Sequence, residues 1–252
     1  MSGPVMALAR TEAVLLIRNP AAVFMGLALP ALLLILQGFV IPGLSSPLGG
    51  HDPFYAQLRG IDVLAPLALL VTIASVALVN FPVSFAGYRE TGVLRRLQAT
   101  PAGATRLLTA QLITCAVAVV VGGAIAVAVA LILFDVRAPA SPLLLLLTTA
   151  LTVLALFAVG AVIAGRVANA RNANGMGVLL FFLCLLAAGL WTPGPMMPDL
   201  MRTLTAFTPF GAASQSISAA WLGGELPLLQ LAVLAAWAAV AALVAVKTFR
   251  WR

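Results

Sequence analysis

TLTAFTPFGAASQSISAAWLGG, residues Thr203 to Gly224, decides how many times this chain crosses a membrane. The stretch carries no charge, and counting it as a span gives seven. It is rich in Thr, Ser, Gln and Gly, and Pro209 stands near its middle. Its transfer into hydrocarbon is poor, so it reads as a re-entrant or interfacial segment on the outer side. Six other charge-free runs cover 19–50, 63–87, 107–134, 138–165, 172–198 and 226–246. Each holds the roughly 20 apolar residues that a span needs. Six spans are expected, at about 21–42, 62–86, 107–134, 142–165, 173–191 and 226–246, within one transmembrane domain over 1–252.

The charges support six. With the N-terminus inside, the inner side holds Arg10, Arg18, Arg89, Arg95, Arg96, Arg106, Arg166, Arg171, Lys247, Arg250 and Arg252, which is 11 of the 14 basic residues. Arg59, Arg137 and Arg202 fall outside, with Asp52, Asp62, Asp135, Asp199 and Glu225. A seventh span would move Lys247, Arg250 and Arg252 outward, against the positive-inside rule.

Composition agrees. Of 252 residues, 63% are hydrophobic and 8% charged, too little charge for the surface of a water-soluble domain. The 21 Gly and 16 Pro are better tolerated in membrane helices than in soluble ones. The net charge of +7 comes from residues at the ends of apolar runs, so it marks topology rather than a nucleic-acid partner. Arg outnumbers Lys 13 to 1, the bias of a GC-rich bacterial genome. The apolar stretch after Arg18 is too long for a signal-peptide core.

Catalytic signatures are missing. There is no GxxxxGK[ST] loop for nucleotide, and no HExxH, GxSxG or CxxC. Cys115 and Cys184 lie in apolar runs with no neighbouring His and read as packing residues. His51, beside Asp52, reads as a surface residue. No ionisable residue is expected inside a span, whereas ion-coupled carriers hold their ion with buried charges. The chain moves or anchors something, and the energy comes from elsewhere. Asn80, Thr72, Ser75, Gln111, Thr114 and Trp191 either line a path or tie helices together.

The most polar inner loop reads GYRETGVLRRLQATPAGATRLLTAQL. Glu90 to Ala99 suits one short helix, ended by Thr100-Pro101. At 100° per residue, Arg89, Gly92 and Arg96 share one face, and Glu90, Leu94 and Leu97 the other. Such a helix either lies on anionic lipid or docks in a groove of an inner-side partner. In the docking reading, Glu90 and Leu94 present a charge and an apolar knob. Gly92 then marks close backbone approach or is simply tolerated. Leu94→Asp is expected to spare membrane insertion and to disrupt coupling.

The run Arg89-Glu90-Thr91-Gly92-Val93-Leu94-Arg95-Arg96-Leu97, followed by Thr100-Pro101, resembles the signature loop of type-2 ABC-transporter permeases. Leu15 to Pro30, LLIRNPAAVFMGLALP, is similar to the start of that family, and Met197 to Gly223 to its outer re-entrant stretch. Val93 departs from the Thr commoner after this Gly. The resemblance implies an all-α membrane protein: six transmembrane helices, an N-terminal amphipathic elbow helix, a short cytoplasmic coupling helix and an outer re-entrant segment. It also implies a bacterial plasma-membrane subunit with both termini cytoplasmic. Two such subunits, identical or sibling, pair and dock on separate ATPase subunits that bind ATP and Mg. This chain itself takes no cofactor, no metal and no catalytic residue. Arg89, Glu90, Gly92, Leu94, Arg96, Leu97, Thr100 and Pro101 would carry the coupling.

The elbow would span 4–18. Val5, Leu8, Leu15 and Leu16 share a face there, opposed by Arg10, Thr11 and Arg18. Glu12 falls among the apolar residues. It either snorkels or forms a salt bridge with Arg89, Arg95 or Arg96, because a lone buried carboxylate costs several kcal/mol. The small size and apolar spans look most like the drug- and antibiotic-export branch. The alternatives are a carrier or channel without an ATPase, and a membrane anchor or assembly subunit.

Overall fold

The computed structural model describes residues 3–48, 56–98, 103–191 and 197–248. His51, Asp52, Ala99, Thr100, Pro101, Pro193 and Pro195 lie outside the described residues. Among those described, no strand forms, and one isolated antiparallel bridge joins Pro47 to Arg59. We number the helices α1 (Gly3–Ile17), α2 (Pro20–Val40), α3 (Gly60–Glu90), α4 (Val93–Gln98), α5 (Gly103–Phe134), α6 (Pro142–Arg166), α7 (Ala170–Ala188), α8 (Asp199–Ala206), α9 (Pro209–Leu222) and α10 (Leu228–Thr248). Six are long and apolar enough to cross a membrane: α2, α3, α5, α6, α7 and α10.

The stretch 203–224 is not a span. It divides into the end of α8 and the 14-residue α9. At 1.5 Å per residue α9 is about 21 Å long, against a hydrocarbon core of about 30 Å. Pro209 opens α9, where its missing N–H costs nothing, and Thr208 caps the helix by accepting from the Gly211 amide at 3.1 Å. The Ser and Gln residues are tied in place. Ser214 donates to the Ala188 carbonyl at 2.7 Å, Gln215 to the Arg202 carbonyl at 3.0 Å, and Trp221 to the Arg137 carbonyl at 3.0 Å.

Helix α3 is the centre of the bundle. Nearly every residue from Gly60 to Ala86 is buried, and α2, α5, α6, α7 and α9 pack around it. The outer faces of those helices carry exposed Val120, Ile132, Leu143 and Val246, an apolar surface that suits lipid and not water. Contact with α3 is closest where side chains vanish. A Cβ at Gly160 of α6 would collide with the Ala77 carbonyl, and one at Gly177 of α7 with the Leu78 carbonyl. Small residues at such crossings let membrane helices approach backbone to backbone.

Prolines explain part of this closeness. Pro82 has no N–H to give Leu78, four residues earlier, and Pro30 has none to give Gly26. Before each proline the helix widens into a π-turn, at Ser75–Asn80 in α3 and Phe24–Ala28 in α2. There bonds skip one residue further, from the Phe81 amide to Val76 and from the Leu29 amide to Phe24. The two π-turns face each other, and Asn80 donates to the Ala22 carbonyl at 2.9 Å. The carbonyls that lost a proline partner are those met by neighbouring glycines: Gly177 at Leu78, and Gly122 of α5 at Gly26. A backbone Cα–H so close supplies a weak donor where hydrocarbon supplies none.

Among the polar residues inside the bundle, Asn80 and Thr114 bond between helices. Thr72 and Ser75 bond to carbonyls of their own helix, and Thr114 bridges to the Ala9 carbonyl of α1 at 3.3 Å. Trp191 is instead exposed. Asp62, expected on the outer side at the start of the second span, lies in the first turn of α3 and is buried. Arg59 neutralises it at 2.8 Å and also donates to the Asp135 carbonyl. Cys115 and Cys184 are buried free thiols, and no metal-binding cluster occurs among the described residues.

Candidate functional site

The loop after α3 begins with a break the sequence reading passed over. The expected single helix from Glu90 to Ala99 does not form. Glu90 is the last residue of α3, and α4 is six residues long. Between them Gly92 adopts φ +71°, the left-handed conformation that ends helices and that only glycine takes without strain. The Thr91 amide closes onto the Gly87 carbonyl and the Gly92 amide onto Arg89. Nothing lies within 4 Å of a Cβ built at Gly92. This glycine turns the chain between the two helices.

The last turn of α3 is where elements converge. Successive helical side chains point about 100° apart, so three in a row can reach three neighbours. The Tyr88 hydroxyl donates to the Glu12 carboxylate of α1 at 2.5 Å. The Arg89 guanidinium donates to the Val167 carbonyl, just past the end of α6, at 2.6 Å. The Glu90 carboxylate accepts from the Ala170 amide at 3.1 Å. That amide opens α7, where a negative charge also complements the helix dipole. Asn169 caps the same helix by accepting from the Asn172 amide at 2.8 Å. One turn of α3 thus holds α1, α6 and α7 together.

Across the break, the two-face division of the loop fails. Leu94 is 1% exposed and belongs to the main apolar core, so it is no knob for a partner's groove. Its packing fixes α4 onto α3 and α5. Arg95 and Arg96 point outward, and Arg96 also donates to the Thr91 carbonyl at 3.1 Å. Arg89 does not join Gly92 and Arg96 on a face, because it is spent on Val167. The Leu97 side chain, Thr100 and Pro101 lie outside the described residues. The exposed residues here are Glu90, Thr91, Arg95 and Arg96, beside the exposed Arg166 and Arg171.

Helix α1 turns most of the expected face inward, with Leu15 the exception. Ala9 and Glu12 are buried, Val5, Leu8 and Leu16 are half-buried, and Leu15 is exposed with Val14 and Ile17. Arg10 and Arg18 are exposed as expected. Glu12 is neither snorkelling nor salt-bridged to an arginine of the loop: its partner is the Tyr88 hydroxyl. Burial pushes its carboxyl above the ordinary range, and the Tyr88 hydrogen bond pulls less strongly the other way. Tyr88, Val167 and Ala170 escaped the sequence reading. The signal for Tyr88 was its place one residue before the charged pair Arg89-Glu90.

The model of the family described as ABC-2 type transporter matches residues 4–221, from α1 through nearly all of α9. The chain belongs to that family. As an ABC-2 permease it is the membrane-spanning component of an ABC transporter, and permeases of this family work with an ABC ATPase. The match includes α1, the Tyr88–Glu90 turn and α4. No curated protein matches the chain.

Proposed function

We propose that this ABC-2 permease is the transmembrane half of an export complex driven by a separate cytoplasmic ATPase. Residues 1–252 form one permease domain in a bacterial plasma membrane, with both termini inside and two copies, or a sibling pair, enclosing the path. The ATPase docks on Glu90, Thr91, Arg95 and Arg96, with Leu97, Thr100 and Pro101 continuing the same loop. Helix α1 lies along the inner leaflet as the elbow, and the α8–α9 pair re-enters from outside. ATP and Mg are held by the partner. The substrate is hydrophobic or amphipathic, a drug or antibiotic in class, because the bundle offers no charged site at depth.

One observation carries this reading. A single turn, placed directly before the exposed Arg95 and Arg96, is bonded to α1, α6 and α7 at once. A push on α4 therefore reaches most of the bundle.

The test is reconstitution of the chain with an ABC ATPase subunit that co-purifies with it. The complex is expected to hydrolyse ATP faster when a panel of amphipathic antibiotics is added, and to protect cells against one of them. Reversing both arginines, Arg95→Glu with Arg96→Glu, should abolish co-purification of the ATPase while leaving membrane levels normal. Undiminished ATPase binding by that variant would sink the docking site.

A further inference from the structure

We propose that the hydrogen bond between Glu12 and Tyr88 is a positioning latch that makes α1 move with the end of α3. This rests on the coupling role given above to the loop that follows Tyr88. Three observations support it. Helix α1 is joined to α2 only by the short stretch Arg18–Asn19, so any displacement of α1 is handed to the first span. Glu12 is 5% exposed although the other charge of its helix, Arg10, is in the open. A carboxylate is not left in such a place without a partner, and the partner it has is the residue that begins the converging turn.

The surroundings make the latch sensitive to charge. From α3 the group facing Glu12 is the Tyr88 hydroxyl, and from α5 it is the Cys115 thiol, on the face where Thr114 bonds to Ala9. Gln111 lies one turn from Cys115 on that same face, 2% exposed, with its carbonyl oxygen lacking a partner. No cation raises or lowers the Glu12 carboxyl; burial dominates and favours its neutral form. A carboxyl held above its ordinary value of 4.5 in the docked state contributes full docking stability below that value. The contribution is lost as pH rises through the raised value. The latch is therefore tighter toward acid, and an amide in place of the carboxyl keeps the acceptor for Tyr88 with no charge to bury.

The experiment is hydrogen exchange of the α1 amides in the full-length permease in lipid nanodiscs, corrected for intrinsic rate, followed by transport per ATP in the assembled complex. Tyr88→Phe and Glu12→Ala should each speed α1 exchange by about tenfold, with α5 and α6 amides unchanged as the control for folding. The double variant should add little to either single one, since both remove the same bond. Glu12→Gln should exchange as the natural chain does at acid pH and keep that rate as pH rises. In the complex, Tyr88→Phe should lower transport per ATP several-fold, and Glu12→Gln should not. Natural α1 exchange in Tyr88→Phe, or a Glu12→Gln as loose as Glu12→Ala, overturns the latch. Loosened α1 with undiminished transport per ATP shows a structural bond and overturns its positioning role. If the unaltered complex moves nothing with ATP, the export reading falls, while the exchange results still decide whether α1 is latched.

Discussion

Substituting Leu94 separates the folding of the α4 loop from its contact with a partner. Leu94 is 1% exposed and packed into the core beneath α4. Truncation to Ala removes three carbons from this buried site. Such deletions cost about 2–5 kcal/mol, a factor of about 30 or more in the folding equilibrium. Leu94→Asp adds the cost of an unpaired buried carboxylate and should be worse. Arg95→Ala, one residue on, is exposed and should stay within about 0.5 kcal/mol of the natural chain. The assay is paired: thermal unfolding of the purified permease in detergent, and the amount of ATPase recovered with it. Leu94→Ala should melt several degrees lower, and its ATPase recovery should fall in step with the folded fraction. Arg95→Ala should melt normally and recover less ATPase. A Leu94→Asp chain that inserts, melts normally and fails only in coupling would refute this reasoning and restore the view of Leu94 as a docking knob.

Two further outcomes follow from the fold. Gly177→Val should be among the most damaging apolar substitutions in the bundle, costing about 3 kcal/mol or more, because its Cβ would meet the Leu78 carbonyl. Gly175→Val, with nothing within 4 Å of its Cβ, should melt as the natural chain does. Single cysteines at positions 5, 95, 169 and 250 should resist an impermeant thiol reagent in intact cells, while those at 48, 137 and 200 react. Outside labelling at 250 would overturn the orientation with both termini cytoplasmic.

Much of this architecture was legible from where charges stop. Six spans follow from charge-free length, and the exclusion of 203–224 from its polar composition and the positive-inside rule, since hydrocarbon imposes the same demand on every helix that crosses it. The converging turn was not legible. Its three bonds run to residues about 80 positions away, and two of them end on backbone atoms, which no residue pattern encodes. The loop helix was misplaced because a wheel drawn from Arg89 to Leu97 assumes unbroken 100° steps, and Gly92 interrupts them. A glycine between two short helical stretches was itself the sign of a left-handed end. Glu12 was rightly singled out as needing a partner. Arginine was the wrong guess because charge was weighed above reach, and a tyrosine at the end of a span is long enough to bond across to α1. Neither π-turn was foreseen, although Pro30 and Pro82 marked where each must lie.

The widened turn Ser75–Asn80 has a consequence for how this chain tolerates changes in its length. A π-turn holds one residue more than the α-helical path between the same two flanks. Deleting a single residue there can be absorbed by tightening the coil, so Tyr88, Arg89 and Glu90 keep their bearings. Deleting one between Val83 and Gly87 finds no such slack. The final turn of α3 would rotate by about 100°, and all three bonds would be lost together. The central helix thus contains a spare residue on one side of Pro82 and a rigid spacing on the other, a difference in indel tolerance that hydropathy along the span gives no hint of.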